Sequence, residues 1–530
     1  MTPGNANLYA LLSHRFDDRR DTVAIETPSG TRLTYADVER DSARFANRLV
    51  ALGARPGDRV AVQVDKSPEA LCLYLGCVRA GLIYLPLNTG YPARELEHFF
   101  RDAEPMVVVC RPQDRDMVGG LAGRCGVDSV STLGDAGDGS LMELPDPGDE
   151  FDTAVSRGDD IAAILYTSGT TGKPKGAALS HRNLASNAVT LHATWGFGAG
   201  DVLLHALPLF HTHGLFVACH CSLLNATPML LLPKFDPRQV IDLLPRASVF
   251  MGVPTFYTRL LADAEFGRAQ CANMRLFVSG SAPLLEQTHD EFLKRTGHTI
   301  LERYGMTECG MSTSNPLDGE RKAGTVGLPL PGVSLRIVDD AGNAVATGEI
   351  GQIEFKGPNV FQGYWRDREK TAEEFTDDGY FRSGDLGRLD EDGYISIVGR
   401  DKDLIISGGY NVYPKEVELC IDQLDGVSES AVIGVPDADF GERVTAVVVP
   451  EADAPGEDAI ITALRPLLAA YKLPKQVTFV DTLPRNAMGK VQKTYSANAS
   501  QSHKPERRIS LPLRGESNLN DSPRKQNTHA

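Results

Sequence analysis

A segment rich in glycine, hydroxyl residues and lysine is the part of the sequence whose spacing predicts chemistry most directly. Residues 166–176 read YTSGTTGKPKG, with three glycines, four small hydroxyl residues and two lysines in eleven positions. Exposed backbone amides, hydroxyls and cations are what a loop needs to surround a polyphosphate. The spacing is not that of a Walker A motif, because Thr167 stands where the first glycine should be and Pro174 follows Gly172-Lys173. The segment therefore predicts a phosphate-binding loop of a different kind.

The elements around this loop predict an α/β fold. Short apolar runs, such as 59–64, 161–167 and 249–253, alternate with amphipathic stretches over the first 330 or so residues. Consecutive apolar strands separated by helices are typical of buried, mostly parallel sheets, whose ligands collect where strands end. Glycine-rich alternating segments from about residue 334 predict a small β subdomain. We expect these parts to form a large N-terminal lobe, followed by a small, mobile α+β C-terminal lobe.

Changes of composition along the chain indicate the domain boundaries. The large lobe takes residues 1–400, and the small lobe takes residues 401–495. Residues 496–530 are polar, lack apolar periodicity and predict a disordered tail. The chain is therefore expected to divide into two folded lobes and one unfolded segment.

Composition and charge disfavour several classes of function. The 530 residues carry a formal net charge of −16, which disfavours binding to nucleic acid or to anionic membrane surfaces. No apolar segment approaches the roughly 20 residues that a membrane-spanning helix needs, and the N-terminus lacks the pattern of a signal peptide. The nine cysteines are scattered and odd in number, which is typical of reduced thiols. We therefore expect a cytoplasmic protein with small-molecule ligands, either a monomer or a homodimer.

The phosphate loop is one of five motifs that together resemble the adenylate-forming superfamily, which includes acyl-CoA synthetases, aryl-CoA ligases, peptide-synthetase adenylation domains and firefly luciferase. The others are ERYGMTE at 302–308, YFRSGD at 380–385, GRDKD at 399–403 and PRNAMGK at 484–490. They occur in the family's order, and the resemblance covers about residues 7–495. It implies an enzyme that uses ATP to activate a carboxylic acid as an acyl-adenylate, which a thiol such as that of CoA then attacks.

The resemblance also assigns the site for ATP and Mg²⁺ residue by residue. Thr307 would hold the α-phosphate, and Glu308 would reach Mg²⁺. Asp385 and Arg400 would bind the ribose, and Lys490 would be the catalytic lysine. Thr170 would be a second contact to the metal, and the residues assigned to ATP or AMP also include Thr167, Ser168, Gly169, Thr170, Thr171, Gly172, Lys173, Lys175, Ser281, Glu302, Tyr304, Gly305 and Met306.

The second half-reaction requires a site for CoA and a movement of the small lobe. Lys402 would be the pivot of that movement, since Lys490 on the small lobe must first close onto the phosphate loop. A solvated surface lysine is the alternative for Lys402. Glycines suit a tunnel whose backbone the pantetheine arm approaches closely. By resemblance, the residues of this tunnel are Ser407, Gly408, Gly409 and Tyr410.

An arginine within an apolar helix start predicts which carboxylic acid is used. Arg259 lies in MGVPTFYTRLL at 251–261, and a guanidinium that faces a pocket needs an anion to pair with it. A diacid such as malonate or methylmalonate supplies that anion as its second carboxylate, whereas acetate or a fatty acid does not. This stretch, with 205–216 and 411–418, also resembles the malonate–CoA ligases. A surface arginine that faces outward is the alternative.

The remaining residues of the predicted acyl pocket are Ser279, Ser281, Met306 and His211. His211 corresponds to the family's gate residue and is also counted as catalytic, with a satisfied core histidine as the alternative. Two other functions remain open, namely an acyl-CoA synthetase for another short-chain or aryl acid and an adenylation enzyme that loads a carrier protein. A non-catalytic sensor of acyl nucleotides is disfavoured, because Lys490 and Glu308 are both present.

Overall fold

The computed structural model describes residues 4–145, 148–167, 174–437, 440–485 and 491–493. Strands alternate with helices throughout the N-terminal part, as the sequence predicts. In chain order the strands are β1 (Val23–Glu26), β2 (Arg32–Thr34), β3 (Arg59–Gln63), β4 (Ile83–Pro86), β5 (Val107–Cys110), β6 (Ser129–Thr132), β7 (Ile161–Thr167), β8 (Lys175–Ser180), β9 (Leu203–His205), β10 (Met229–Leu231), β11 (Val249–Gly252), β12 (Leu276–Ser279), β13 (Ile300–Met306), β14 (Gly310–Ser314), β15 (Leu328–Pro329), β16 (Ser334–Val338), β17 (Gly351–Lys356), β18 (Gly363–Tyr364), β19 (Phe381–Leu389), β20 (Ile395–Arg400), β21 (Ile405–Ser407), β22 (Tyr410–Val412), β23 (Val427–Asp437), β24 (Gly441–Pro450) and β25 (Gln476–Phe479).

The helices pack between and around these strands. In chain order they are α1 (Leu8–Leu12), α2 (Tyr35–Ala51), α3 (Pro68–Arg79), α4 (Ala93–Ala103), α5 (Arg115–Arg124), α6 (His181–Thr194), α7 (His220–Asn225), α8 (Pro237–Leu243), α9 (Pro254–Leu261), α10 (Glu286–Thr296), α11 (Arg368–Glu374), α12 (Pro414–Asp422) and α13 (Glu457–Leu464). Among the described residues, no helix has the length and the apolar character that crossing a membrane requires.

Two large sheets organise the N-terminal part of the described chain. One has nine strands in the order β15-β14-β13-β12-β11-β9-β10-β1-β2, and the other has seven in the order β18-β8-β7-β4-β3-β5-β6. Most neighbouring strands in both sheets are parallel, for example β9 with β11 and β3 with β4. Strands β16, β17, β19 and β20 form an antiparallel sheet, and β21 to β25 form a C-terminal sheet. The predicted fold class is therefore confirmed, whereas the lobe boundary near residue 400 stays a prediction.

Two helices that follow strands, α3 and α6, begin at serine residues that cap their N-termini. The Ser67 hydroxyl accepts a hydrogen bond from the backbone N–H of Ala70 at 3.1 Å, and Pro68 occupies the first turn of α3. Ser180 caps α6 in the same way and forms a capping box with Asn183. These caps fix the points at which the chain leaves β3 and β8.

The parallel pairing of three neighbouring strands ends at the same level. Gly252 of β11 pairs with Ser279 of β12, and Ser279 pairs with Glu302 of β13. Parallel strands that end together place the residues that follow them at one edge of the sheet. The chain just after Gly252, just after Ser279 and just after Glu302 therefore lies at one edge, to which Ser279 of the predicted acyl pocket belongs.

Candidate active site

A buried guanidinium, that of Arg303, lies at this edge of the sheet. Arg303 is only 2% exposed, and its Nε and Nη2 atoms have no hydrogen-bond partner among the described residues. It packs against Gly280, where any side chain would collide with the guanidinium. Burial lowers the pKa of Arg303 to about 9. Because a buried charge without a partner is strongly destabilising, this arginine is suited to bind an anionic group.

Two histidines and two serines accompany Arg303. Burial, reinforced by the positive charge of Arg303, lowers the pKa of His211 to about 4 and that of His213 well below its ordinary value. The backbone N–H of His213 donates to Nδ1 of His211 at 3.2 Å, which leaves the ring proton of His211 on Nε2. The Ser281 hydroxyl lies 3.4 Å from Nδ1 of His213, and the buried Ser279 hydroxyl has no partner among the described residues. These neutral groups can therefore offer further hydrogen bonds to a ligand.

The structure contradicts the prediction for Arg259. Helix α9 buries Tyr257, Leu260 and Leu261, whereas Arg259 is exposed. Successive helical residues are about 100° apart, so a residue at position 259 points away from the side on which these three residues lie. Arg259 therefore has the exposure expected of the alternative, an outward-facing surface arginine, and the buried arginine at this edge of the sheet is Arg303.

Glu308 is a buried carboxylate close to the strand that leads into the phosphate loop. The Thr167 hydroxyl donates to Oε1 of Glu308 at 3.1 Å, and the Tyr364 hydroxyl donates to the same oxygen at 3.4 Å. Burial raises the pKa of the Glu308 carboxyl. The Lys175 ammonium lies 5.4 Å from the centre of the Tyr364 ring and adds positive charge nearby.

This environment fits a bound Mg²⁺. A buried carboxylate that accepts from neutral donors gains from a neighbouring cation, because the cation offsets the cost of burying the charge. Within the described ranges, no group of three or more His, Cys, Asp or Glu side chains is arranged to hold a metal by protein ligands alone. Proteins commonly bind Mg²⁺ through one or two carboxylates together with substrate phosphates. Glu308 would therefore hold the ion jointly with a nucleotide.

Asp385 links two of the other predicted nucleotide residues. The Tyr304 hydroxyl donates a short hydrogen bond to Oδ2 of Asp385, and the Arg400 guanidinium forms an ion pair with Asp385, with 2.9 Å between Nε and Oδ1. The pairing of β19 with β20 places Asp385 directly opposite Arg400. The structure therefore brings together three residues that the sequence assigned separately. A carboxylate fixed in this way retains lone pairs that can accept hydrogen bonds from ligand hydroxyls.

The structure describes only some of the other residues that were predicted to bind the nucleotide. Met306 and Thr307 are half-buried at the end of β13, next to the buried Glu308. Glu302 is buried, accepts a hydrogen bond from the backbone N–H of Leu284 at 3.2 Å, and has a pKa that burial raises to about 8. The assignments that lie outside the described residues, and that stay predictions, are Ser168, Gly169, Thr170, Thr171, Gly172, Lys173 and Lys490.

The residues predicted for the CoA tunnel and the hinge belong to the C-terminal part. Gly408 and Gly409 adopt the positive φ values of 59° and 82° that the tight turn between β21 and β22 requires. Tyr410 is exposed beside them. Lys402 is exposed on the short turn at 401–403, between β20 and β21. An exposed lysine fits a pivot and a solvated surface residue equally well, so both assignments stay predictions.

Sequence reasoning missed a lysine, Lys66, that lines a cavity of about 440 Å³ at the ends of β3, β4 and β9. Lys66 Nζ donates to Nδ1 of His205 at 2.7 Å and to the His205 carbonyl at 2.9 Å. Nε2 of His205 donates to the Gly214 carbonyl at 2.9 Å, so Nδ1 is the acceptor for Lys66. Burial lowers the pKa of Lys66 to about 7. No pattern in the sequence indicates this contact, because its partners are 139 positions apart.

We expect Lys66→Met to stabilise the protein at neutral and mildly acidic pH. The pKa of Lys66 is about 7 in the folded protein, against about 10.4 in an unfolded chain, so the unfolded state binds the proton more tightly. The free energy of unfolding of the wild type should therefore rise as pH increases between these two values. Methionine has no charge to desolvate, and it should raise Tm by a few degrees at about pH 6 and by much less at about pH 10.

Thermal unfolding at several pH values measures this difference. Lys234→Met is the matched control, because Lys234 is an exposed lysine that lines the same cavity. It should leave Tm unchanged across the pH range. A lower Tm of Lys66→Met at every pH would show that the contact with His205 outweighs the cost of burying the amine.

Comparison with known proteins assigns the family. Residues 12–365 match the AMP-binding enzyme family, and residues 416–490 match the AMP-binding enzyme C-terminal domain. A feruloyl-CoA synthase of an Amycolatopsis species is 38% identical over 474 residues, which is 88% of this chain and 93% of that protein. A malonate–CoA ligase of Arabidopsis thaliana is 35% identical over 504 residues, which is 87% of this chain and 81% of that protein. The crystal structure of ATP-bound MatB from Rhodopseudomonas palustris is 54% identical, has a TM-score of 0.91 and covers 94% of this chain and 99% of that one. The chain belongs to the AMP-binding enzyme family, within the adenylate-forming superfamily.

Proposed function

We propose that the protein is an ATP-dependent malonate–CoA ligase, which converts malonate, ATP and CoA to malonyl-CoA, AMP and pyrophosphate. As a member of its family, the chain is an adenylate-forming acyl-CoA ligase. The choice of malonate depends on one observation, the buried guanidinium of Arg303, whose Nε and Nη2 have no hydrogen-bond partner within the described part of the chain. The similarity to the malonate–CoA ligase of Arabidopsis thaliana supports the same choice.

In the first half-reaction, a malonate carboxylate oxygen attacks the α-phosphorus of ATP and pyrophosphate leaves with the electrons of the broken P–O bond. Two anions approach each other in this step, so fixed positive charge and hydrogen-bond donors are needed at the phosphates. Lys175 and Lys490 would supply the charge, and Thr167 and Thr307 would donate hydrogen bonds. Mg²⁺ held at Glu308 would neutralise phosphate charge.

The second carboxylate of malonate would pair with Arg303. The Nε2–H of the neutral His211 and the hydroxyl of Ser279 can donate hydrogen bonds to the same substrate. A monocarboxylic acid would leave the guanidinium buried and unpaired. A site that is built to pair with a charged group rejects a substrate that lacks the group far more strongly than an apolar pocket discriminates by size.

In the second half-reaction, the CoA sulfur attacks the malonyl carbonyl carbon, the thiol loses its proton, and AMP leaves with the electrons of the broken C–O bond. By resemblance, residues 407–410 would receive the pantetheine arm. Rotation of the small lobe about Lys402 would replace Lys490 with this loop between the two steps. These assignments carry over from the family's motifs.

An aryl acid is the second candidate substrate, since a feruloyl-CoA synthase is among the relatives. An aromatic ring would have to lie beside a buried, unpaired guanidinium and two neutral histidines. This arrangement offers the ring no anion to neutralise Arg303, which favours the diacid. Loading of a carrier protein is distinguished by supplying free CoA as the sole acceptor.

A substrate panel in the ATP–pyrophosphate exchange reaction tests the proposal. The panel contains malonate, methylmalonate, succinate, acetate, butyrate and coumarate. We expect malonate or methylmalonate to exceed butyrate and coumarate in kcat/KM by at least about 100-fold, because only diacids pair with Arg303. Equal rates with butyrate, or a preference for coumarate, would refute the malonate assignment and leave the adenylating chemistry intact. Release of malonyl-CoA without any carrier protein would exclude the carrier-loading alternative.

A further inference from the structure

Helix α4 (Ala93–Ala103) carries two polar side chains, one helical turn apart, that hold both ends of the phosphate loop. Asp102 accepts a hydrogen bond from the Tyr166 hydroxyl at 2.5 Å, close to the end of β7. Nε2 of His98 donates to the Pro174 carbonyl at 2.9 Å, immediately before β8. Residues four apart lie on the same face of a helix. One face of α4 therefore reaches the residues on both sides of the loop.

The contacts around these two hydrogen bonds keep their partners in place. The ring of Tyr166 packs on Phe99 of the same helix, with ring centres 4.4 Å apart. Burial raises the pKa of Tyr166, so its hydroxyl stays protonated and can donate to Asp102. Trp365 links the two sides, since its Nε1 donates to the Asp102 carbonyl at 3.3 Å and its backbone N–H donates to the Gly176 carbonyl at 2.7 Å.

The anchored residues are direct neighbours of groups that face the nucleotide site. Thr167 follows Tyr166, and its hydroxyl donates to the buried Glu308 at 3.1 Å. Lys175 follows Pro174 and places its ammonium over the ring of Tyr364, which also contacts Glu308. Catalysis by positioned donors and charges is sensitive to displacements of about 1 Å. A shift of either anchored residue would therefore be felt where the phosphates bind.

We propose that His98 and Asp102 are positioning residues of the ATP site, which fix the two ends of the phosphate loop so that Thr167 and Lys175 face the phosphates of a nucleoside triphosphate. The inference rests on the proposed ATP-dependent function. Changes at His98 or Asp102 should therefore affect ATP binding and the adenylation step. Thioester formation occurs after pyrophosphate has left, and it should therefore not depend on them.

The test compares Tyr166→Phe, Asp102→Ala and His98→Ala with the wild type in the full chain. Each change removes one hydrogen bond, so we expect the Kd of ATP, measured by calorimetry, to rise about 5–20-fold. The rate at which CoA consumes supplied malonyl-adenylate should stay within about twofold. The double variant Tyr166→Phe/Asp102→Ala should be no weaker than its weaker parent, because both changes remove the same bond.

Two variants control for a general loss of structure. His98→Gln retains an N–H donor and should recover most of the affinity for ATP. His298→Ala removes a similar bond elsewhere, from Nε2 of His298 to the Cys271 carbonyl at 3.1 Å, and should leave the affinity unchanged. Unchanged ATP affinity in the three test variants, or equal losses in both half-reactions, would overturn the proposal. If the wild type did not adenylate malonate, the substrate assignment would be refuted instead. The Kd values of ATP for the variants would still test whether His98 and Asp102 position the ATP site.

Discussion

Arg303→Met is expected to lower kcat/KM for malonate by about 10²–10⁴-fold, because breaking a buried ion pair costs about 3–5 kcal/mol. Methionine is unbranched and flexible, so it can occupy the space beside Gly280 without introducing a charge. The same variant should use butyrate better than the wild type does, since a monoacid would no longer face an unpaired cation. KM for ATP should change by less than about twofold, because the lost interaction involves only the acid. Rates of pyrophosphate release with each acid measure these changes.

Arg259→Met is the matched control for this prediction. Arg259 is an exposed arginine on α9 and should leave the kinetics with every acid unchanged. Equal losses in Arg259→Met and Arg303→Met would contradict the assignment of the acyl site. A structural function of Arg303 would instead lower malonate and butyrate activity together and reduce Tm. We expect Tm to rise, because the variant no longer buries an unpaired charge.

The fold could be predicted because the signals that determine it are local. The capping serines Ser67 and Ser180 lie next to the helices that they start, and the side chain of each accepts a hydrogen bond from the backbone of the first turn. Asp385 and Arg400 belong to separate motifs, but a pair of adjacent antiparallel strands brings them within 2.9 Å of each other. Short apolar strands and neighbouring turn residues thus contain most of the information that the fold requires.

The sequence did not indicate which of Arg259 and Arg303 is buried, because the environment of each arginine depends on several elements at once. The apolar residues around Arg259 indicated a buried position, but they mark the opposite face of the same helix. Arg303 follows the apolar start of a strand and lies within the ERYGMTE motif. This position could have indicated that Arg303 lies near the predicted site. Its burial arises from packing against Gly280 on the neighbouring strand end and near His211, which no local pattern describes.

Contacts between distant segments account for what the sequence left unpredicted. Lys66 follows β3 of the seven-stranded sheet, whereas His205 ends β9 of the nine-stranded sheet, and each alone looks like an ordinary polar residue. The same holds for His98, whose partner is a backbone carbonyl 76 positions away. A hydrogen bond to a carbonyl requires no particular residue type at the partner position, so it leaves no pattern in the sequence.

Glu308→Gln is expected to lower the adenylation rate by about 10²–10³-fold while raising the stability of the protein without ligands. Glutamine can still accept hydrogen bonds from Thr167 and Tyr364, but it no longer provides an anion for Mg²⁺. Burial raises the pKa of Glu308, so the folded state binds this proton more tightly than the unfolded state does. The wild type should therefore lose stability as pH rises above the ordinary carboxyl pKa, and the advantage of the variant in Tm should be larger at neutral pH than at about pH 4.

Glu354→Gln separates this behaviour from that of an ordinary buried carboxylate. Glu354 is also buried, but Nε of Arg336 donates to it at 2.6 Å, so its charge already has a partner within the protein. Loss of that partner should lower Tm, whereas adenylation should continue at the wild-type rate. MgATP should raise the Tm of the wild type and of Glu354→Gln, but have little effect on Glu308→Gln, because a ligand stabilises a protein only in proportion to its affinity for the folded state. If Glu308→Gln behaved like Glu354→Gln in all three measurements, Glu308 would be a structural carboxylate, and the metal would have to be held elsewhere.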